Sequence, residues 1–365
     1  MEKKKICLVS CSAPLYREAI FKLLDKELDC HFILASSSLQ QMDTTQLRSV
    51  ERIKSKKIKG RVSWEPDVLK ATKAYDHVIM DLGIFSVTEW LVLLRAKFNR
   101  QKTYVWTHGW YGKETAVKKI VKRIYFSMID GILLYGNYAK DLMIKEGYNP
   151  NKLFVIHNSL NHSRQVELRN EGLFSTIYKE HFGNDNPTLI FIGRLTPVKK
   201  LDMLLEAMSI LKTSGKNYNL VFVGDGSERQ SLDARTESLD LEDNVWFYGA
   251  CYDEKTNAEL IYNAELCVAP GNIGLTAMHT LVFGTPALSH DNSAYQMPEF
   301  ESIIPGKTGD FFKQGDINSL AATIQNWFEA HTDREAIRQA CYKEIDENWT
   351  PEFELGVIKE ALENA

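Results

Sequence analysis

Two short segments of the 365-residue chain carry residue types suited to gripping an anion. The first is Gly193-Arg194-Leu195-Thr196-Pro197-Val198-Lys199-Lys200. A guanidinium offers a fork of N–H donors to phosphate oxygens, and an ammonium adds a compact charge. Spaced on a loop that leads into a helix, Arg194 and Lys199 can converge on one diphosphate. Taken alone they read equally well as solvated surface cations. The second segment is Pro270-Gly271-Asn272-Ile273-Gly274-Leu275-Thr276-Ala277-Met278-His279. A glycine-punctuated loop entering a helix leaves backbone N–H groups free beside the positive end of the helix dipole. An ordinary strand-to-helix turn is the plainer reading. Together the two loops favour a diphosphate ligand.

Such loops need strands and helices to hold them. Apolar runs alternate with helical stretches along both halves of the chain. In the first half the expected strands are Ile6–Ser10, Cys30–Ala35, His77–Asp81, Thr103–Thr107, Gly131–Tyr135 and Phe154–His157. Helices are expected at Arg17–Lys26, Ser86–Asn99 and Ala116–Ile129. Residues 160–185 are polar and weakly periodic and read as a linker. Beyond it the expected strands are Thr188–Ile192, Asn219–Val223, Val245–Tyr248, Leu266–Ala269 and Thr285–Ser289, again separated by helices such as Leu201–Thr213 and Leu275–Phe283. This alternation predicts an α/β protein of two doubly wound parallel-sheet domains. Ligands of such sheets sit outside the carboxyl ends of the strands. Gly193-Arg194, Gly224-Asp225-Gly226, Gly249 and Pro270–Gly274 all fall there.

Composition bounds the rest. The chain is 44% hydrophobic and 25% charged, which is globular rather than disordered, and too long for a single core. No run is apolar enough to span a membrane, and the basic start Met1–Lys5 followed by Pro14 and Arg17 makes a poor signal peptide. Six scattered cysteines without a CxxC pair read as reduced core thiols of a cytoplasmic protein. Histidines show no metal-ligand spacing, so no metal or other cofactor is expected. Charge is unevenly divided: residues 1–170 hold 29 Lys and Arg against 17 Asp and Glu, whereas the whole chain is −4. Two basic segments stand out, Lys54–Arg61 and Lys118–Phe126. They read as solvated faces or as a contact with an anionic membrane surface. No nucleic-acid-binding motif accompanies them.

Residues 187–330 resemble the C-terminal domain of the family-4 retaining glycosyltransferases (group 1, GT-B fold). The resemblance rests on Ile192-Gly193-Arg194-Leu195, Lys199, Leu204–Ala207, Val221–Gly226, Val245–Gly249, Gly274-Leu275, Gly284-Thr285-Pro286, Glu301 and Gly306–Gly309. It implies two Rossmann-like domains with a donor cleft between them: an acceptor domain over 1–170 and a nucleotide-sugar donor domain over 171–345. A C-terminal helix over 346–365 would cross back to the first. It also implies a nucleoside diphosphate sugar as donor, a glycan or lipid-linked saccharide as acceptor, and catalysis without a metal. Arg194 and Lys199 would hold the diphosphate, with Gly193 shaping the loop and Gly274, Leu275 and Thr276 capping the anion.

One departure stands within that resemblance. The family's paired glutamates, eight positions apart, align with Gly271 and His279. His279 would keep the ribose contact, and Asn272 would stand in at the sugar. In the first half, Trp106-Thr107-His108-Gly109-Trp110-Tyr111-Gly112-Lys113-Glu114 follows a strand end. The resemblance assigns His108 a polar contact to the donor sugar or acceptor. Trp110 and Tyr111 offer flat faces for a sugar, with Lys113 and Glu114 beside them. The family's early Gly-Gly loop is replaced by Cys11–Arg17. The variant resembles a bacterial subgroup involved in surface polysaccharide or glycan assembly. Two other readings keep the fold: a nucleotide-sugar 2-epimerase and a non-catalytic glycan-binding relative.

Overall fold

The computed structural model describes residues 4–34 and 42–364. Residues 1–3 of the basic start, Ala35 of the second expected strand, and Ala365 of the C-terminal helix lie outside these. The chain divides into two compact units. One comprises the residues up to Asn161 together with those from Trp349, and the other is His162–Asn348.

In the first unit, strands β1 (Ile6–Ser10), β2 (His31–Leu34) and β3 (Val50–Arg52) precede a short hairpin of β4 (Lys56–Lys59) and β5 (Val62–Trp64). Strands β6 (His77–Met80), β7 (Lys102–Thr107), β8 (Gly131–Leu134) and β9 (Leu153–Val155) follow. Seven of these form one parallel sheet in the order β3-β2-β1-β6-β7-β8-β9. Alternate residues feed opposite faces, as strand geometry requires. Ile6, Leu8, Phe32, Leu34, Ile79, Tyr104, Trp106 and Leu133 join one core, which helix Glu18–Leu28 and helix Pro351–Asn364 cover. Cys7, Val9, Ile33, Val78, Met80, Val105, Ile132 and Leu134 join the other, under helices Val87–Asn99 and Ala116–Ser127.

The second unit repeats the plan. Strands β10 (Thr188–Ile192), β11 (Asn219–Val223), β12 (Val245–Gly249), β13 (Leu266–Ala269), β14 (Ala287–His290) and β15 (Gly309–Phe312) form a parallel sheet ordered β12-β11-β10-β13-β14-β15. Every residue of β10, β11, β13 and β14 is buried, as expected for strands covered on both faces. In both sheets the strand order reverses beside the first strand of the unit, at β1/β6 and at β10/β13. That reversal opens a crevice at the carboxyl ends, which is where doubly wound folds bind ligands.

The segment read as a linker is not one. It contains helices His162–Asn170 and Ile177–Phe182. Its polar residues are tied down: Ser175 N–H donates to Asn263 Oδ1 (3.0 Å), Asn263 Nδ2 donates to Leu173 O (2.7 Å), and Tyr178 Oη donates to Leu260 O (2.6 Å). The weak apolar periodicity hid helices that are held by side-chain hydrogen bonds. The passage between units therefore lies at Asn161–His162, and the return at Asn348–Trp349, against boundaries expected at 170 and 345.

Candidate functional site

At the β10/β13 switch point the backbone does most of the building. Gly193 follows β10 with φ 144°, a conformation that favours glycine, and its N–H donates to Val223 O (2.9 Å). The next turn lies against the loop after β11. Leu195 N–H donates to Asp225 O (2.9 Å), and a Cβ on Gly226 would meet Leu195 O at 2.2 Å. On its other side lies the loop after β13. Gly271 N–H donates to Lys199 O (2.9 Å), and a Cβ on Gly271 would stand 2.0 Å from Val198 O and 2.7 Å from Lys199 C. The loops touch backbone to backbone, so no side chain fits between them at Gly271. A glutamate there requires another loop path. The departure at this position is thus a feature of the local packing, not a single-residue loss.

Lys199 bridges the two loops from inside. Its Nζ donates to Asn272 O (2.6 Å) and leans on Ile273 O (3.4 Å), leaving donor capacity for a further partner. Burial lowers its pKa, the nearby Glu299 carboxylate opposes that, and Arg194 adds to the lowering. Arg194 itself is exposed and makes no hydrogen bond or ion pair with any described residue. Thr276 Oγ1 donates to Ile192 O (2.8 Å), pinning the start of helix Thr276–Leu281 to the end of β10. Among the described residues nothing accepts from the N–H groups of Gly274, Leu275 or Thr276. A free guanidinium, an ammonium and three free amides therefore gather around loops held by backbone contact. Sequence reading missed the buttress behind them. Buried Gln296 accepts from Ile273 N–H (3.1 Å) and donates to Ser289 Oγ (2.7 Å) and His290 O (3.1 Å). Ser289 Oγ in turn reaches Ala269 O and Gly271 O. Nothing in the motif spacing points to Gln296.

Two expected donor contacts sit beside this group. The Asn272 side chain is half-buried and unbonded among the described residues, so its amide remains available. His279 is less free than expected: its Nε2 lies 3.1 Å from Glu254 Oε1, which also accepts from Gln165 Nε2 (2.9 Å). Burial would raise the Glu254 pKa, but His279 and Gln165 together hold it below its ordinary value. A carboxylate that no sequence motif singles out thus stands next to His279.

The β1/β6 switch point of the first unit is built from side chains. Asp81, just after β6, accepts from Arg17 Nη1 (2.6 Å), Ser10 Oγ (2.7 Å) and Cys11 N–H (2.8 Å). Arg17 also donates to the Tyr135 hydroxyl and lies 4.8 Å from the Trp106 ring. Burial pushes its pKa down, and Tyr135 and Asp81 more than reverse this, so the buried guanidinium stays charged. His108 follows β7, with its ring 4.7 Å from that of Tyr135 and 5.9 Å from that of Tyr111. Burial, then the charges of Arg17 and Lys122, depress its pKa to about 4. At neutral pH it is an uncharged imidazole, and among the described residues its buried Nδ1 has no hydrogen-bond partner.

Two of the expected acceptor residues take different parts. Trp110 is only 2% exposed and packs 5.6 Å from Tyr148, with Lys122 Nζ 5.0 Å from its ring. It is a core side chain and presents no face to a sugar. Glu114 is committed inward: Oε1 accepts from Lys122 Nζ (2.7 Å) and Tyr111 N–H (2.9 Å). Burial raises its pKa, and Lys122 and the Tyr111 amide more than offset this, holding it low. Lys122 also donates to Gly109 O (2.6 Å), so it does not belong to a solvated stripe as its neighbours do. Tyr111 remains half-buried and Lys113 exposed, with Lys113 Nζ 5.8 Å from the Tyr111 ring.

Residues 176–344 match the family model of glycosyl transferases group 1. Over 155 residues the chain is 32% identical to a GDP-mannose-dependent alpha-(1-6)-phosphatidylinositol dimannoside mannosyltransferase of Mycobacterium tuberculosis. That match covers 42% of this chain and 39% of the relative, so the chain spans well under half of its length. Two solved structures are similar across nearly the whole chain. The Anabaena HepE protein in complex with UDP superposes with a TM-score of 0.74 at 17% identity, covering 99% of this chain and 100% of that one. The lipopolysaccharide outer core galactosyltransferase WaaB superposes with a TM-score of 0.70 at 14% identity, covering 98% and 99%. At these identities the likeness establishes the fold, which is GT-B: two Rossmann-like units, each on a parallel sheet.

Proposed function

We propose that the protein is a glycosyltransferase that moves a sugar from a nucleoside diphosphate sugar to a glycan or lipid-linked saccharide, with retention, in bacterial surface polysaccharide or glycan assembly. One observation carries this reading. At the β10/β13 switch point, the free guanidinium of Arg194, the half-occupied ammonium of Lys199 and the unbonded amides of Gly274–Thr276 share one rim. That is a donor set for a diphosphate, and the HepE neighbour was solved with UDP.

The chemistry follows from charge. As the bond between the anomeric carbon and the diphosphate oxygen breaks, negative charge grows on the leaving group. Arg194, Lys199 and the fixed amides stabilise that charge without reorganising, and need no metal to do so. The acceptor oxygen bonds to the anomeric carbon on the face the diphosphate leaves. Attack on that face retains the configuration, and the acceptor's proton passes to the departing phosphate oxygen. His108, neutral at working pH, serves as a hydrogen-bond partner for the sugar or acceptor rather than as an acid. Tyr111 and Lys113 are the remaining acceptor contacts. The enzyme works on the cytoplasmic side.

The test is a thermal-shift and calorimetric screen against UDP, GDP and their sugars. At least one stabilises the protein, because a ligand held only by the folded state raises stability. Arg194→Ala weakens that ligand roughly 10- to 100-fold, the worth of one charge-assisted contact. If no nucleotide shifts the midpoint, the donor site is wrong. Binding without turnover across an acceptor panel assigns the chain to non-catalytic relatives instead. Epimerised sugar released without acceptor assigns it to the 2-epimerases.

A further inference from the structure

The two basic segments that stand apart in the sequence meet on one surface of the first unit. Hairpin β4–β5 docks at the start of helix Val87–Asn99, where Ser63 N–H donates to Phe85 O (3.1 Å) and Ser63 bridges to Ser86. That helix lies beside Ala116–Ser127: the Trp90 and Tyr125 rings are 5.4 Å apart, and the Tyr125 hydroxyl donates to Glu89. Inward-facing residues of both helices (Val92, Leu93, Ala96, Tyr125, Phe126) are buried in the core.

The outward faces are also apolar. Val87, Leu91, Leu94 and Phe98 recur at helical spacing along the first helix, and Val117, Ile120 and Ile124 along the second. All seven are exposed; Phe98 reaches 87%, Val117 73%, Ile120 59% and Ile124 54%. Phe85 and Ile58 carry the apolar surface onto the hairpin. A helix face turned to water normally carries polar residues there, and contiguous exposed apolar patches mark binding surfaces.

Cations frame this patch. Lys56, Lys57, Lys59 and Arg61 are exposed on the hairpin, Lys97 and Arg100 close one helix, and Lys118 and Arg123 flank the other stripe. Residues 54–127 hold sixteen Lys and Arg and six Asp and Glu. Four of those acids have buried carboxylates: Glu65, Asp81, Glu89 and Glu114. Glu146 offsets part of the charge by pairing with both Lys119 and Arg123, so the excess stays positive. A nucleic acid would match the cations and leave the apolar stripes in water. A protein partner would have to bury many lysines, which interface cores disfavour. An anionic bilayer satisfies both, taking the apolar side chains below the headgroups and the cations among the phosphates.

We propose that this face docks the protein on an anionic lipid bilayer. No helix among the described residues is long and apolar enough to cross a membrane. The docking stands independently of the sugar-transfer reading, because vesicle binding is measured without donor or acceptor. In flotation with the full chain, vesicles of phosphatidylcholine with about one third phosphatidylglycerol capture the protein at low salt, and pure phosphatidylcholine does not. Ile120→Ser with Ile124→Ser lowers the partition coefficient at least about tenfold, and so does Lys56→Glu with Lys57→Glu. High salt weakens capture of the wild type. All four side chains are exposed, so melting temperatures stay near the wild type and confirm folding. Equal capture by neutral vesicles, no capture at low salt, or capture indifferent to both double variants overturns the proposal. So does a dimer in solution that Ile120→Ser with Ile124→Ser dissolves.

Discussion

The two units use one sheet plan and treat their switch points in opposite ways. In the second unit the crevice is left open: glycines bring loops into backbone contact, and Arg194 is exposed and unpaired among the described residues. In the first unit the same topological position is filled. An arginine at the corresponding end of the sheet, Arg17, is buried and locked to Asp81 and Tyr135. A cation at a strand's carboxyl end is therefore not evidence of a ligand until its partners are known. The open crevice leaves its arginine exposed; the filled one turns its arginine into core structure.

Substitutions at the two arginines break this comparison most forcefully. Arg17→Leu strands Asp81 as a buried carboxylate and should cost about 3 kcal/mol or more of unfolding free energy, read by urea denaturation. Arg194→Ala should stay within about 0.5 kcal/mol of the wild type in the same experiment. Equal losses would show that both switch points are structural. Gly271→Ala comes next. Its Cβ must displace Val198 O, so a loss of about 1–3 kcal/mol is expected, with weaker nucleotide binding than in Arg194→Ala if the loops separate. A pH-dependent effect sharpens the contrast in the first unit. Buried Glu354 accepts from Ser159 Oγ (2.6 Å), and burial raises its pKa to about 8. The folded state therefore holds a proton that the unfolded chain has lost above about pH 4.3, and stability from this group drains away as pH rises from there towards 8. Glu354→Gln should match the wild type near pH 4.5, exceed its melting temperature at pH 8, and flatten the slope between.

The same contrast explains what the sequence made legible. The strands of both sheets were readable because parallel strands are continuous apolar runs bounded by turn residues. The open switch point was readable too, since it is made of glycines and charged residues close in sequence: Gly193, Arg194 and Lys199, then Gly271–Thr276. The first unit's edge was not, because its pairs join distant positions. Arg17 finds Asp81, and Lys122 of an evidently basic helix turns inward to Glu114 and Trp110. Trp110 offers a flat face in the sequence and a buried one in the fold. Gln296 and Glu254 were invisible for the same reason, since the bonds that matter, to Ile273 and to His279 and Gln165, join residues far apart in sequence. The linker misled because its helices are fastened by Asn263 and Tyr178 rather than by an apolar stripe.

The helix Pro351–Asn364 bears on how this chain is made. Its Leu355, Ile358, Ala361 and Leu362 complete the core around Ile20, Phe21 and Leu24. During vectorial synthesis the first unit emerges early yet waits, one face uncovered, while the whole second unit is translated. The second unit has no such debt and is free to fold as soon as residue 348 clears the ribosome. A released chain truncated before residue 351 should then resist protease in its later portion and remain open to it, or to a chaperone, in its earlier one.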